Sequence, residues 1–309
     1  MTTLLYSHND FENHEVPAGH PERQARYAYV RDALAAPAFD HLQRQEAQEV
    51  AWDRIALAHP EPFAQIVRDA APSAERIIQL DPDTWMGMHS LSATRRAAGA
   101  GVAAIDEIMA GRADNAFVAA RPPGHHAEQD RAMGFCVFNS AAIAALHAQA
   151  AHGCERVAVV DFDVHHGNGT QAIFWDKENV FFASSHQWPH YPGTGREADT
   201  GVFGHIHNAT LQNGEAGNAF RRVWGENLLP ALSDFDPDFI IISAGFDAHA
   251  ADPLGGLNLV EDDFAWVTQE IRAVAAAQSQ GRIVSFLEGG YDLEALAKSA
   301  AAHVKALAS

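Results

Sequence analysis

The hydrophobic pattern of the chain repeats one unit: a continuous apolar run, an abrupt change to polar residues and glycine, and then an Ala- and Leu-rich helical pattern. Continuous apolar runs are typical of strands buried on both faces of a parallel sheet. The pattern predicts strands at Ala116–Ala120, Val157–Val160, Val180–Ala183, Phe239–Ser243 and Ile283–Leu287. It predicts helices at Ser140–Ala151, Glu215–Leu232, Glu261–Gln278 and Leu293–Leu307. We therefore expect an α/β fold with an open, mostly parallel sheet flanked by helices.

The chain shows neither linkers nor repeats, so we expect residues 1–309 to form a single domain. Its apolar runs are too short to span a membrane, and its first residues, MTTLLYSHND, do not resemble a signal peptide. Two cysteines are too few for a disulfide framework and favour a reducing compartment. We expect a cytoplasmic protein without a membrane partner.

The charge balance limits the partners. With 21 Lys and Arg against 40 Asp and Glu, the formal net charge is −19, which argues against a nucleic-acid partner held by a basic face. An acidic surface suits a cationic partner because long-range attraction raises encounter rates. The 18 histidines are unusually many, and their placement is informative.

Polar residues follow each predicted strand, at the edge where ligands bind in such sheets. In an extended strand Asp161, Asp163 and His165 share one face. An aspartate and a histidine there suit a catalytic Zn²⁺ site, which needs a third protein ligand, and Asp252 after another strand is the candidate. The alternative is that the two aspartates only cap a turn.

Two further segments carry candidate catalytic groups. His125 and His126 follow a rigid Pro-Pro-Gly turn, and Asp161 and Asn168 are available to orient their rings for proton transfer. Tyr291 follows a Gly-Gly pair and could donate to an oxyanion, or could be a core tyrosine.

Two aromatic residues lie in neighbouring loops, Phe135 in GFCVF and Tyr191 in HYPGTG. They could line a narrow apolar channel or only close the core. The sequence leaves both interpretations open.

Taken together, six segments resemble the zinc-dependent histone deacetylase and acetylpolyamine amidohydrolase family. They are RPPGHHA at 121–127, GFCVFN at 134–139, DFDVHHGNGTQ at 161–171, HYPGTG at 190–195, SAGFDAHAADPLGG at 243–256 and EGGYD at 288–292. HHGNGTQ and EGGY resemble the class II branch and its bacterial relatives. The resemblance extends from near residue 20 to near residue 292, and it implies an arginase/deacetylase-like open sheet.

The resemblance implies one catalytic zinc ion per chain, with the ligands that the spacing suggests: Asp163, His165 and Asp252. The catalytic groups it implies are the tandem histidines, their two orienting partners and the phenol: His125, His126, Asp161, Asn168 and Tyr291. The second histidine is the general base of the family. A structural K⁺ ion is implied near Asp161, Asp163, His165 and Ser184.

The substrate-binding residues implied by the resemblance are Gly134, Phe135, Tyr191, Leu254 and Arg26. Tyr191 departs from the phenylalanine of many members. The family usually has HPE-x-P-x-R around its buried arginine, whereas Gln24 replaces the proline here.

We therefore expect a zinc-dependent amidohydrolase that removes acetyl or other acyl groups from the ε-amine of lysine in peptides or proteins. An acetylpolyamine deacetylase is the alternative, and a catalytically silent acyl-lysine binding module is a remote one. A binuclear manganese ureohydrolase, such as arginase, would need additional carboxylates.

The family's polyamine-specific branch has a glutamate two residues after the third zinc ligand, where this chain has Leu254. Asp81 and Asp83 could supply a carboxylate from another loop. The ligand types do not exclude Fe²⁺ or Co²⁺, and a homo-oligomer remains an alternative to a monomer.

Overall fold

The fold is built around strands that alternate with helices. The structure, a computed structural model, describes residues 1–73 and 76–309. The strands in these ranges are β1 Thr3–Ser7, β2 Gln43–Glu46, β3 Ile78–Asp81, β4 Thr84–Met86, β5 Asn115–Val118, β6 Val157–Asp161, β7 Val180–Gln187, β8 Ile206–Leu211, β9 Phe239–Ala244 and β10 Ile283–Leu287.

The central sheet has eight strands in the order β2-β1-β5-β10-β9-β6-β7-β8 within the described ranges. Every neighbouring pair in it is parallel. A separate antiparallel hairpin joins β3 to β4. The predicted α/β class with a mostly parallel sheet is therefore confirmed.

Helices cover both faces of the sheet. They are α1 Asn9–Asn13, α2 Ala25–Ala33, α3 Trp52–Ile55, α4 Glu61–Ala70, α5 Ser90–Met109, α6 Ser140–His152, α7 Asn168–Phe174, α8 Gly217–Val223, α9 Leu229–Phe235, α10 Glu261–Gln278 and α11 Leu293–Leu307. Short 3₁₀ and π turns occupy Pro37–Phe39 and Trp224–Leu228. Within the described ranges, none of the helices combines the length and apolarity that crossing a membrane requires.

Two hydrophobic cores lie on opposite faces of the sheet. Val157 and Val159 of β6 contribute to the core that contains residues of α5 and α6, whereas Ala158 and Val160 contribute to the core that contains residues of α10 and α11. Successive strand residues point to opposite faces, so apolar residues are favoured at consecutive positions of a strand that is buried on both sides. This explains the continuous apolar runs.

The predicted helices α10 and α11 have the predicted bounds. The predicted helix Glu215–Leu232 is interrupted, because α8 is followed by the π turn and then by α9, which extends to Phe235. Pro230 lies in the first turn of α9. Proline has no N–H to donate to the preceding turn, which explains why the hydrogen-bond pattern changes there.

Candidate active site

The polar residues predicted from the strand ends lie together at the carboxyl edge of four adjacent strands, β5, β10, β9 and β6. His125 and His126 follow β5, Asp161 ends β6, Asp252 follows β9 and Tyr291 follows β10. All five side chains are buried. Buried polar groups destabilise the fold unless they are paired. The contacts of these side chains therefore indicate the chemistry that this edge of the sheet can support.

The tandem histidines have different partners. Nδ1 of His125 lies 2.9 Å from Oδ2 of Asp161, and Nδ1 of His126 lies 2.7 Å from Oδ1 of Asn168. The side-chain amide of Asn168 is oriented by a second hydrogen bond, in which its Nδ2 donates to Oε1 of Glu128 over 2.8 Å. His126 therefore donates from Nδ1 and keeps the lone pair of Nε2 free.

The partner of each histidine affects its pKa. Burial alone would lower the pKa of His125, but the charges of Asp163 and Asp161 raise it well above its usual value. Burial, and then the positive charges of His125 and His165, lower the pKa of His126 well below its usual value. Neighbouring groups whose pKa values are driven apart are typical of acid–base sites.

Next to the histidine pair, three side chains bring metal-binding atoms within 4.8 Å of one another: Asp163, His165 and Asp247. Nδ1 of His165 lies 3.0 Å from Oδ1 of Asp163 and 3.2 Å from Oδ2 of Asp247. Burial opposes the charge of His165, but hydrogen bonds with the two carboxylates raise its pKa to about 10. The predicted pair Asp163 and His165 is thus in contact.

Asp252 is outside this group of three and is held by backbone amides. Its Oδ2 accepts from the N–H of Tyr291 over 2.6 Å and from that of Asp292 over 3.1 Å, and its Oδ1 accepts from Leu254. Burial, and then the charge of Asp247, raise the pKa of Asp252 to about 7. The backbone amides therefore hold its carboxylate in place, and the carboxylate of Asp247 repels it.

This excess of negative charge fits a divalent cation. Five buried acids lie at this edge: Asp161, Asp163, Asp247, Asp252 and Glu288. Burial, and then repulsion from a neighbouring carboxylate, raises the pKa values of Asp247 and Asp252. A cation would relieve that repulsion, and carboxylate oxygen with imidazole nitrogen is a donor set that suits Zn²⁺.

Two glycines allow these carboxylates to approach the backbone. A Cβ atom added to Gly245 would lie 2.0 Å from Oδ2 of Asp163, and one added to Gly289 would lie 2.0 Å from Oδ2 of Asp247. Any side chain at either position would displace a carboxylate of the candidate site. The glycines of SAGFD and EGGYD are therefore required by the site.

Tyr291 is buried beside a guanidinium. The Cζ atom of Arg26 lies 4.8 Å from the centre of its ring, and Arg26 donates to the carbonyls of Gly290 and Glu288. Burial raises the pKa of Tyr291 well above its usual value, although Arg26 opposes this. The phenol therefore stays protonated at neutral pH and can act as a hydrogen-bond donor.

These groups open onto a cavity of about 220 Å³. Its polar wall includes His126, His165 and Tyr291, and its other walls include Gly134, Phe135, Tyr191 and Leu254. The rings of Phe135 and Tyr291 are 5.8 Å apart, and those of Tyr191 and His126 are 5.2 Å apart. Phe135 and Tyr191 therefore lie in the wall of this cavity, and their role as a substrate channel stays a prediction.

Ser184, predicted for the potassium site, lies opposite Asp161 in the pairing of β6 with β7. Its hydroxyl contacts Nδ1 of His186 over 2.9 Å. The potassium site stays a prediction.

Glu288 has a role that the sequence did not reveal. Its Oε2 accepts from the backbone N–H groups of Gly124 and His125, over 2.7 and 3.2 Å, and its Oε1 accepts from Ser243. Burial raises its pKa to about 7. Glu288 thus connects the end of β10 to the histidine loop, the segment that carries His125 and His126. Its position in the EGGYD segment was the only indication in the sequence that it belongs to the site.

Two further residues line the cavity, Asp83 and His190. The ring of His190 stacks on that of His165 at 4.9 Å, and its Nε2 lies 2.8 Å from the carbonyl of Leu254. Asp83 Oδ1 accepts from the N–H of Gly134. Asp83, one of two carboxylates considered from the sequence, therefore lies at the cavity. His190 begins the HYPGTG segment, but its contact with His165 could not be predicted from that position.

Comparisons with known proteins agree with this arrangement. The histone deacetylase domain family matches residues 20–307. The histone deacetylase-like amidohydrolase of Pseudomonas aeruginosa is 38% identical over 281 residues, which cover 89% of this chain and 73% of that protein. Histone deacetylase 14, chloroplastic, of Arabidopsis thaliana is 36% identical over 323 residues, which cover 98% of this chain and 76% of that protein.

The same relationship holds in three dimensions. The crystal structure of the HDA15 HD domain matches with a TM-score of 0.93 at 34% identity, covering 99% of this chain and 88% of that one. The chain therefore belongs to the histone deacetylase family. Relatives named deacetylase and amidohydrolase support a hydrolase activity.

Proposed function

We propose that the protein is a zinc-dependent deacetylase that hydrolyses the acyl amide on the ε-nitrogen of lysine in peptides or proteins. One observation carries this proposal: His126, His165 and Tyr291 face the same narrow cavity of about 220 Å³. A proton acceptor, a metal-binding group and a hydrogen-bond donor around one reacting centre are what amide hydrolysis requires.

Asp163, His165 and Asp252 would hold the zinc ion. When bound there, zinc supplies the positive charge that polarises an acyl carbonyl and makes water more acidic. Asp247, which contacts His165, would keep that imidazole in place. The other steps depend on this chain's own side chains.

His126 is the proposed general base. Its Nδ1 donates to Asn168, so Nε2 has the free lone pair that can take a proton from water. Its lowered pKa keeps the ring neutral before the reaction. The same nitrogen can then donate this proton to the amide nitrogen as the carbon–nitrogen bond breaks, so that the neutral amine leaves.

His125 is the proposed electrostatic partner. Its contact with the carboxylate of Asp161, and its raised pKa, favour a protonated ring beside the reacting centre. Tyr291 donates from its phenol to the oxygen that becomes negative, which is the oxyanion role that a protonated tyrosine can perform.

The cavity supports a lysine side chain as the acyl carrier. Phe135 and Tyr191 provide aromatic walls for an aliphatic stem, and the half-buried Leu254 offers no charge at the rim. An unpaired ammonium against an apolar rim is unfavourable. This supports acyl-lysine over acetylated polyamines.

The acetylpolyamine alternative has one observation in its favour. Asp83 lies at the same cavity, where its carboxylate could pair with the second ammonium of a polyamine.

A substrate panel tests the proposal. We expect acetyl release from acetyl-lysine peptides, loss of the activity with a chelator, and recovery with added zinc. N-acetylputrescine and N8-acetylspermidine should give a lower kcat/KM. A higher kcat/KM for these polyamines would favour the alternative, and no hydrolysis of any acyl substrate by the zinc-loaded protein would contradict the proposal.

Leu254→Glu tests the rim. The new carboxylate should shift the ratio of kcat/KM values toward polyamines by about fivefold, because a partly exposed ion pair contributes about 1 kcal/mol. Leu254→Gln is the matched neutral control and should leave the ratio near that of the unmodified enzyme.

A further inference from the structure

A second group of metal-binding side chains lies where α5 packs against α6, outside the candidate active site. Asp106 belongs to α5, and His147 and His152 belong to α6. Nε2 of His147 lies 2.8 Å from Oδ1 of Asp106, and Nε2 of His152 lies 2.6 Å from the same oxygen. One donor atom from each of the three side chains therefore converges on one point.

This group is remote from the candidate active site at the carboxyl edge of the sheet. Helix α6 begins at Ser140, next to the loops of the candidate active site, and ends at His152. The twelve steps from its first residue to its last correspond to about 18 Å along the helix axis. The chain then enters β6 at Val157, so the group lies near the amino edge of the sheet. None of its members takes part in the proposed hydrolysis.

The three side chains provide a partly open set of ligands. His147 is almost completely buried, with a side-chain exposure of 4%, whereas His152 and Asp106 are exposed to 24% and 46%. Two imidazoles and a carboxylate suit divalent transition metals such as zinc, and the exposed side leaves room for water as a further ligand. Ligands on packed helices are held in position better than ligands on loops.

One ring nitrogen of His147 is left without a partner in the part of the chain that the structure describes. Among the described residues, its second nitrogen, Nδ1, is buried and has no hydrogen-bond partner. The hydrogen bonding of the His147 ring within the described residues is therefore limited to its contact with Asp106 through Nε2.

We propose that Asp106, His147 and His152 form a second, structural site for a divalent transition metal, which connects α5 to α6. The ion replaces the contacts that the two imidazoles make with one carboxylate oxygen, and the ring protons of His147 and His152 both move from Nε2 to Nδ1. Because Nδ1 of His147 has no acceptor among the described residues, we expect this site to bind zinc about 10- to 100-fold more weakly than an otherwise similar site that has one.

Zinc binding to the intact enzyme tests the proposal. The protein, already carrying its catalytic metal, is dialysed against micromolar Zn²⁺, and bound zinc is counted by elemental analysis. The unmodified enzyme should take up one more zinc ion per chain than Asp106→Asn or His152→Gln. These two residues are partly exposed, so the variants should fold. His41→Gln, a change at an exposed histidine, is the matched control and should bind zinc like the unmodified enzyme.

Thermal stability provides a second measurement. Added zinc should raise the Tm of the unmodified enzyme and of His41→Gln but not that of the two site variants, because an ion that binds only the folded state stabilises it. Deacetylation by the site variants should be unchanged. Equal zinc uptake by the unmodified enzyme and both site variants, or no uptake beyond the catalytic metal, would overturn the proposal.

Discussion

The carboxyl edge of the sheet, which carries the candidate active site, and the helical layer formed by α10 and α11 bury histidines equally well. They favour opposite protonation states: the edge favours a protonated ring at His125 and the helical layer a neutral one at His303. His125 is 2% exposed and His303 is 0% exposed. Burial lowers the pKa of His303 to about 3, because its partners are neutral hydroxyl groups. Burial also opposes the charge of His125, but two carboxylates raise its pKa well above the usual value. Carboxylates, and not burial, therefore distinguish the carboxyl edge of the sheet.

The same comparison applies within the histidine pair. His126 contacts a neutral amide, where His125 contacts a carboxylate, and their pKa values shift in opposite directions. Replacing carboxylates at the carboxyl edge of the sheet, or His303 in the helical layer, therefore tests whether carboxylates cause the difference between the two regions.

The largest effect is expected for Asp252→Asn, which should lose both the catalytic zinc and the activity. Asp252 is 7% exposed and Asp247 is 0% exposed, so Asp252 is the carboxylate more accessible to an ion with an open coordination position. Zinc content and acetyl release would be measured on the same sample.

The matched variant is Asp247→Asn. It should retain zinc, because Asp247 is engaged by the N–H of Val164 and by His165. Full zinc in Asp252→Asn together with loss of zinc in Asp247→Asn would identify Asp247 as the third ligand and correct the assignment.

A smaller effect is expected for Glu288→Ala. Two buried backbone N–H groups of the histidine loop would lose their acceptor, and a displaced loop should lower kcat by about 10- to 100-fold with less effect on KM. Glu288→Gln retains a carbonyl oxygen and should recover much of kcat, because the role is positioning.

Glu294→Ala, at an exposed position of α11, is the control for Glu288 and should be neutral. If Glu288→Ala and Glu294→Ala had the same kcat, Glu288 would not position the histidine loop.

The smallest effect is expected for His303 and is seen only in acid. Because Thr268 donates its hydroxyl to Phe264, it accepts from Nδ1 of His303, and the hydroxyl of Ser285 donates to Nε2. The folded state therefore holds His303 neutral down to about pH 3, whereas the unfolded chain binds a proton below about pH 6.5. Stability should fall as the pH decreases through this window.

The contribution of His303 to this loss at about pH 4.5 is roughly 2–3 kcal/mol, from about 1.4 kcal/mol per pH unit. Urea midpoints for His303→Gln should depend less on pH between about 6.5 and 4.5 than those of the unmodified protein. His41→Gln is the control. An identical pH dependence in His303→Gln and the unmodified protein would show that His303 is protonated in the folded state.

The central strands could be predicted from the sequence because they are buried on both faces. β6, β9 and β10 are apolar at nearly every position, whereas the edge strand β2 is QRQE, exposed throughout, and carries no apolar signal. β7 continues through buried polar residues to Gln187, four residues beyond its predicted end. Polar positions inside a strand become recognisable only when their partners are known.

Prediction of the candidate active site from the sequence has the same limit. Asp163 and His165 could be predicted as a pair because they are two residues apart just after an apolar run. The premise that they lie in an extended strand was wrong: β6 ends at Asp161, and the two residues lie in the bends that follow it. The contacts of Asp247 with His165 and of Glu288 with Gly124 join segments that are 82 and 164 residues apart, so no spacing along the chain encodes them. They depend on the order of the strands in the sheet.

The central claim is that the carboxyl edge of the sheet hydrolyses an acyl amide with the phenol of Tyr291 as an oxyanion donor. The most direct test is kcat for acetyl-lysine peptide hydrolysis by Tyr291→Phe, with zinc content measured on the same preparation. We predict unchanged zinc and a kcat lower by about 10²–10³, because one oxyanion donor contributes roughly 3–4 kcal/mol. Full zinc with a near-native kcat would contradict the claim.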